Sequence, residues 1–171
     1  MIQKLSFLYY FTVKGLKFKE LKKMNIDCEI TYSIDEYKNK IEIKTIGNRK
    51  YVTGLHTNGN KMYIEEYKDG KEEGKWIRWD EDGTKEYEGE YKDGKKEGKW
   101  TWWWEDGNKQ REVEYKDGKE EGKCIGWWYI SGNKKYEGEY KDGKREGKWI
   151  GWWDNGNKMY EREYKDGNLI P

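Results

Sequence analysis

The sequence predicts an all-β protein, an elongated antiparallel meander with two strands per unit of roughly 24 residues, and three observations predict it. First, the chain of 171 residues contains no alanine, its only proline is Pro171, and it is rich in Tyr (15) and Trp (11). It therefore lacks the best helix former and favours residues that fill pleated surfaces. Second, Tyr-Lys-Asp-Gly recurs at Tyr67, Tyr91, Tyr115, Tyr140 and Tyr164, with spacings of 24, 24, 25 and 24. Third, a second glycine-centred turn falls between each pair, around Gly83, Gly107, Gly132 and Gly156. Asp-Gly between alternating segments is a strong hairpin signal, because tight hairpin turns require positive φ.

Taken in order, residues 1–25 stand apart. Six lysines face Glu20 alone, with Leu5, Phe7, Leu8, Phe11, Leu16, Phe18 and Leu21 interspersed. Three readings are open: an amphipathic end cap, a basic membrane-surface segment, or over-called sequence ahead of a true start at Met24. Residues 26–171 form the β-repeat domain, degenerate over 26–60 and regular over 61–171. Ile41–Ile46 alternates apolar with polar residues and ends at Gly47-Asn48, so pairing is expected to begin near Ile26. Tyr51–Gly70 reads as a degenerate unit turning at Gly59.

The regular units allow a register to be written. If both turns close as two-residue loops on their Asp-Gly pairs, Tyr87 faces Trp100, Gly89 faces Gly98 and Glu88 faces Lys99. The same rule pairs Tyr63 with Trp76 and Tyr136 with Trp149. In the following hairpin Trp100 faces Val113, Trp102 faces Arg111 and Lys99 faces Glu114. Opposed residues share a face. One face then carries rings and glycines, with glycines leaving hollows for rings, and the other alternates Glu with Lys. Trp102 is expected between the cations of Lys85 and Arg111. Trp103 belongs to the opposite face, in a column with Trp79, Trp127 and Trp152.

Charge narrows the function. Charged residues make up 40% of the chain, yet 35 Lys+Arg against 34 Asp+Glu leave +1. Acidic residues interleave with the basic ones and cancel the field that nucleic-acid binding relies on. Cys28 and Cys124 have neither disulfide-framework nor metal spacing, and neither a metal nor a cofactor is expected. His56 has no partner for nucleophilic or acid–base chemistry and is expected at the surface. No enzymatic activity, catalytic residue or small-molecule substrate is inferred. Leu5–Val13 lacks a signal-peptide cleavage site, which makes the cytoplasm the expected location.

The unit YEGEYKDGKKEGKW resembles the MORN repeat, with Tyr87, Gly89, Tyr91, Gly94 and Gly98 at its Tyr and Gly positions. Tyr136, Gly138, Tyr140, Gly143 and Gly147 repeat the match. The 24-residue period and the second turn look more like the bacterial MORN-variant repeats of antitoxin-like proteins. Departures are Glu65, Val113 and Arg162 for the first glycine and Arg111 for a tyrosine. The resemblance implies a curved single-layer β array acting as a protein-binding module or scaffold, for example a toxin-neutralising antitoxin or immunity protein. A structural or membrane-proximal scaffold holding anionic phospholipid through residues 1–25 is the alternative.

Within the array, Arg111–Asn133 is the irregular unit. It has Arg111 for Tyr, Val113 for Gly, Cys124 for Trp and one extra residue near Tyr129-Ile130, where a strand bulge is expected. The register sets Arg111 against both Trp102 and Cys124, with Cys124 a small apolar residue on the ring face. Two readings stand: correlated drift, or a distinctive partner contact made by Trp102, Trp104, Arg111, Trp128 and Tyr129, which are residue types enriched in hot spots.

Overall fold

The computed structural model describes residues 28–171 and, before them, the backbone of residues 12–13 and 16–17. The three readings of residues 1–25 otherwise fall outside the described residues. Strands β1 (Thr12–Val13) and β2 (Leu16–Lys17) pair with each other. The remaining strands are β3 (Cys28–Ile34), β4 (Lys40–Ile46), β5 (Arg49–Leu55), β6 (Lys61–Lys68), β7 (Lys71–Glu72), β8 (Gly74–Trp79), β9 (Lys85–Lys92) and β10 (Lys95–Trp103). They continue as β11 (Lys109–Lys116), β12 (Lys119–Trp127), β13 (Lys134–Lys141), β14 (Lys144–Trp152), β15 (Lys158–Lys165) and β16 (Asn168–Ile170). These fourteen strands form one open antiparallel sheet in which chain neighbours are sheet neighbours; β7 and β8 are successive pieces of one strand line against β6.

The two turns of each unit are built differently. In the Lys-Asp-Gly turn both central residues are left-handed, with φ of 51° at Asp93 and 81° at Gly94. This is the type I′ geometry, which Asp tolerates and Gly favours. Each such turn is also fastened to the unit before it. Asp117 N–H donates to the Glu97 carboxylate at 2.9 Å and Gly118 N–H to the Lys96 carbonyl at 2.9 Å. Asp93, Asp142 and Asp166 repeat the first bond with Glu73, Glu121 and Glu146. The Glu of each Glu-Gly step is thus the clasp between units.

The second turn is a three-residue loop rather than the two-residue loop expected. Trp104 N–H bonds the Asn108 carbonyl at 2.8 Å, leaving Glu105, Asp106 and Gly107 outside. The displacement is absorbed at once by a bulge: Trp103 pairs with Lys109 but Trp102 with Arg111, skipping Gln110. Register is thereby restored, and Trp100–Val113, Trp102–Arg111 and Lys99–Glu114 pair as expected.

Inside the Lys-Asp-Gly hairpin the expected register fails by two residues. Glu97 still faces Glu90, but beyond it Thr101 faces Glu88 and Trp102, not Trp100, faces Tyr87. The same step sets Tyr63 against Arg78 and Tyr136 against Gly151, in place of Trp76 and Trp149. It begins at Gly98, Gly122 and Gly147, whose φ values of 65°, 74° and 63° only glycine adopts readily. Because two residues are one full pleat, the faces are unchanged although the partners are not.

The step has a packing purpose. It lowers Trp100 onto Gly89, where a Cβ would stand 2.2 Å from the indole ring, and it does the same for Trp149 on Gly138. Each indole N–H then donates to a backbone carbonyl, Trp100 to Glu90 and Trp149 to Glu139, both at 3.1 Å. Gly98 itself has open space beside it and serves the backbone, not a hollow. Trp100 and Trp149 are 2% and 1% exposed, so a single-layer sheet buries large rings by laying them flat on its own backbone.

If this packing carries the fold, Trp100→Ala should lower the unfolding free energy by about 3–5 kcal/mol. Lys99→Ala, which loses only the exposed ion pair with Glu112, should cost less than about 1 kcal/mol. Urea denaturation of both variants checks the difference, and equal losses would show that the faces are assigned wrongly.

Candidate functional site

The ring face is covered by the chain's own cations. Lys96 Nζ lies 4.2 Å from the Trp100 ring centroid, and the Arg145 guanidinium lies 4.6 Å from Trp149 and 5.3 Å from Tyr164. Trp102 sits between Lys96 at 5.0 Å and Arg111 at 5.9 Å. Lys85 is not its second cation: it lies over Trp103, 5.3 Å from the ring. The bulge before Tyr87 explains this, since it turns Lys85 to the opposite face.

There the expected column of Trp79, Trp103, Trp127 and Trp152 is filled in by lysines. Lys61, Lys109 and Lys134 lie over Trp79, Trp127 and Trp152, each at 5.8 Å. The lysines in turn reach glutamates three residues on, Lys85 to Glu88 at 2.7 Å and Lys134 to Glu137 at 2.7 Å. Burial pushes the Glu112 carboxyl up, but hydrogen bonds from Lys99 and Lys109 outweigh it and hold the group below its ordinary value. Such alternation leaves the face with little uncompensated charge.

The irregular unit is a set of matched exchanges. Val113 replaces a glycine and Cys124 replaces the Trp that would lie on it; both are buried, at 1% and 0% exposure, beside Trp149 and Tyr164. Arg111 replaces a tyrosine opposite Trp102. In two other units that tyrosine lies on a glycine, Tyr136 on Gly126 and Tyr160 on Gly151, where a Cβ would stand 2.5 Å and 2.3 Å away, whereas Tyr87 faces Arg78 and Trp102. At Trp102 no glycine offers such a hollow, and on this side of the strand the planar guanidinium of Arg111 stacks on the indole. Arg111 pairs in register with Gly126, not Cys124, because of the two-residue step; Val113 faces Cys124. Its Nη2 bonds Glu120 at 2.6 Å.

The extra residue does not form a strand bulge. Gly126–Tyr136 and Trp127–Lys134 pair as Gly151–Tyr160 and Trp152–Lys158 do, so this hairpin carries the same bulge as the next unit and no additional one. The insertion lengthens the loop, closed by Trp128 N–H to the Asn133 carbonyl at 2.9 Å. This loop is fastened to the next: Ser131 bonds the Asp154 carboxylate, and Asn133 Nδ2 donates to the Asp154 carbonyl at 2.9 Å.

The five candidate residues therefore fall into two groups. Trp102 and Arg111 belong to the ring face. Trp104, Trp128 and Tyr129 sit at the second-turn edge, where Trp104 and Tyr129 rings meet edge-on at 5.3 Å and Trp128 Nε1 donates to the Trp152 carbonyl at 2.9 Å. The lengthened loop also exposes Ile130 (87%), and the adjacent loop exposes Trp153 (54%), alongside Tyr129 (46%). Ile130 and Trp153 lie outside the five candidates, and the insertion near Ile130 is the one sequence feature that points toward them. His56 is half-buried and Nε2 donates to the Trp79 carbonyl at 3.0 Å, a structural bond between neighbouring loops. Among the described residues no group of three or more His, Cys, Asp or Glu is placed to hold a metal ion.

Burial pushes the Cys124 thiol up, against the opposing pull of Arg111. In a Cys28→Ser chain, Cys124 should therefore react with a thiol reagent at pH 8 only as fast as the protein unfolds. Rapid labelling of the native protein would contradict its burial.

No curated protein matches the chain. The model of the MORN repeat variant matches residues 72–93, 96–117 and 145–166. Each span opens at the residue after the Lys of one Lys-Asp-Gly-Lys or Lys-Asp-Gly-Lys-like turn and closes at the Asp of the next. The intervening unit, with Cys124 and the lengthened loop, lies outside these spans. The chain is thus similar to the MORN repeat variant at these three places.

Proposed function

We propose that this repeat array is a non-catalytic module that binds a protein partner through its second-turn edge. Repeats of the matched type suggest a repeat-based binding module. The observation that carries the finer reading is the cluster of exposed apolar groups on two fastened loops, Tyr129, Ile130 and Trp153, with Trp104 and Trp128 packed behind them. Lys135 covers Trp128, 4.3 Å from its ring centroid, much as lysines and arginines cover Trp79, Trp100, Trp103 and Trp149, but Tyr129, Ile130 and Trp153 stay open to solvent. Aromatic anchors on a rigid scaffold, surrounded by charged residues, are what a protein interface uses at its centre. Trp102 and Arg111 have their contacts within the chain and are kept for its ring face.

Neutralisation of a toxin, as an antitoxin or immunity protein acting in the cytoplasm, is the form of this function that the bacterial-type resemblance favours. A scaffold held to anionic phospholipid by residues 1–25 would place its contact in the basic N-terminal segment instead. No helix of the described residues is long and apolar enough to cross a membrane.

Affinity capture from the native host, followed by mass spectrometry, identifies the partner. Ile130→Asp and Trp153→Ala should each weaken its binding at least tenfold, about 1.4 kcal/mol, with little change in melting temperature. Unchanged binding by both would remove the loop edge as the interface. Cosedimentation of the full chain with phosphatidylserine vesicles, in the absence of a protein partner, would favour the scaffold reading.

A further inference from the structure

The rings around Lys96 make a cup. Trp100, Trp102 and Tyr115 have centroids 5.8, 6.3 and 6.5 Å from one another. Lys96 Nζ lies over all three, at 4.2, 5.0 and 5.1 Å. Among the described residues, no hydrogen bond or ion pair reaches that ammonium. Ring faces offer a cation their quadrupole but no oxygen to accept its N–H groups.

We propose that Trp100, Trp102 and Tyr115 form a binding site for a quaternary ammonium group, in which Lys96 is the resident intramolecular occupant. A primary ammonium is strongly hydrated and brings three N–H donors that this lining cannot satisfy. A quaternary ammonium has no donors to leave unmet and sheds water more easily, so the same three faces suit it better. Burial lowers the Lys96 pKa and the Arg111 charge lowers it further, while Glu120 works against both; the lysine is held in the cup against its own solvation. Its four-carbon stem leaves it free to swing out to water. The rim carries a carboxylate: Glu120 accepts from the Tyr115 hydroxyl at 3.3 Å and from Arg111 at 2.6 Å.

Only one of the described units is built this way. Arg145, at the equivalent position, lies over two rings, because Gly151 stands where Trp102 does. Glu72 and Glu120 occupy the position in the other two units. Trp102 is therefore the residue that turns an ordinary ring contact into a three-sided cup.

Tetramethylammonium is the probe, titrated against sodium at equal ionic strength and followed by tryptophan fluorescence and indole N–H resonances. The unaltered chain should show a weak saturable shift of the Trp100 and Trp102 signals. Lys96→Ala, which empties the cup, should bind at least about tenfold more tightly, and adding Trp102→Ala should abolish the response. Choline and trimethyl-lysine, tested in parallel, distinguish a headgroup-like ligand from a modified protein side chain. Lys96→Gln replaces Lys96→Ala if circular dichroism shows that the latter does not fold. No saturable shift in any of these chains, an unchanged response without Trp102, or equal binding of methylammonium would overturn the proposal.

Discussion

An indole lying flat on a glycine is the contact on which the rest of this structure depends. A single-layer sheet has no second layer to bury its rings, and it has few aliphatic side chains with which to build one. Trp100 on Gly89 and Trp149 on Gly138 solve the problem within the sheet, because removing a Cβ lets the ring reach the backbone. The solution demands a two-residue step in the strand that carries the tryptophan, and the step demands left-handed glycines at Gly98 and Gly147. Glycine and tryptophan are thus two halves of one device, repeated along the chain.

The exchanges in the irregular unit follow from the same constraint. Where Val113 fills the hollow, the residue facing it is the small Cys124 in place of a tryptophan. Where Trp102 stands in the place of Gly151, the Arg111 guanidinium stacks on its indole. The Val113–Cys124 exchange thus trades volume between two strand neighbours. The inserted residue is different in kind, since it changes no strand pair and only enlarges a loop. That places the freedom to vary at the second-turn edge, where Ile130 and Trp153 are open to solvent.

Much of this could be read from residue order. The Lys-Asp-Gly period yields the strands, and alternation yields the faces, since face depends only on parity. The partners across the Lys-Asp-Gly hairpin could not be read, because Gly98 looks no different from Gly89 on paper. One provides space and the other provides a positive φ. Lys96 rather than the expected Lys85 is the second cation over Trp102 for a related reason: Lys85 lies beyond a bulge that reverses its face, while Lys96 reaches the ring along the strand that carries Trp102 itself. Ile130 and Trp153 carry no pattern of their own, and their exposure depends on loop geometry.

The direct test of the packing rule is to move the irregular pair into a regular unit. Gly89→Val alone should crowd Trp100 and destabilise by about 1–3 kcal/mol, and Trp100→Cys alone should leave a void costing about 3–5 kcal/mol. The double variant, which copies Val113 and Cys124, should be more stable than the sum of the two losses implies, by at least about 1 kcal/mol in urea denaturation. Losses that simply add would mean that ring and glycine are not coupled, and the account of the fold built on their contact would not stand.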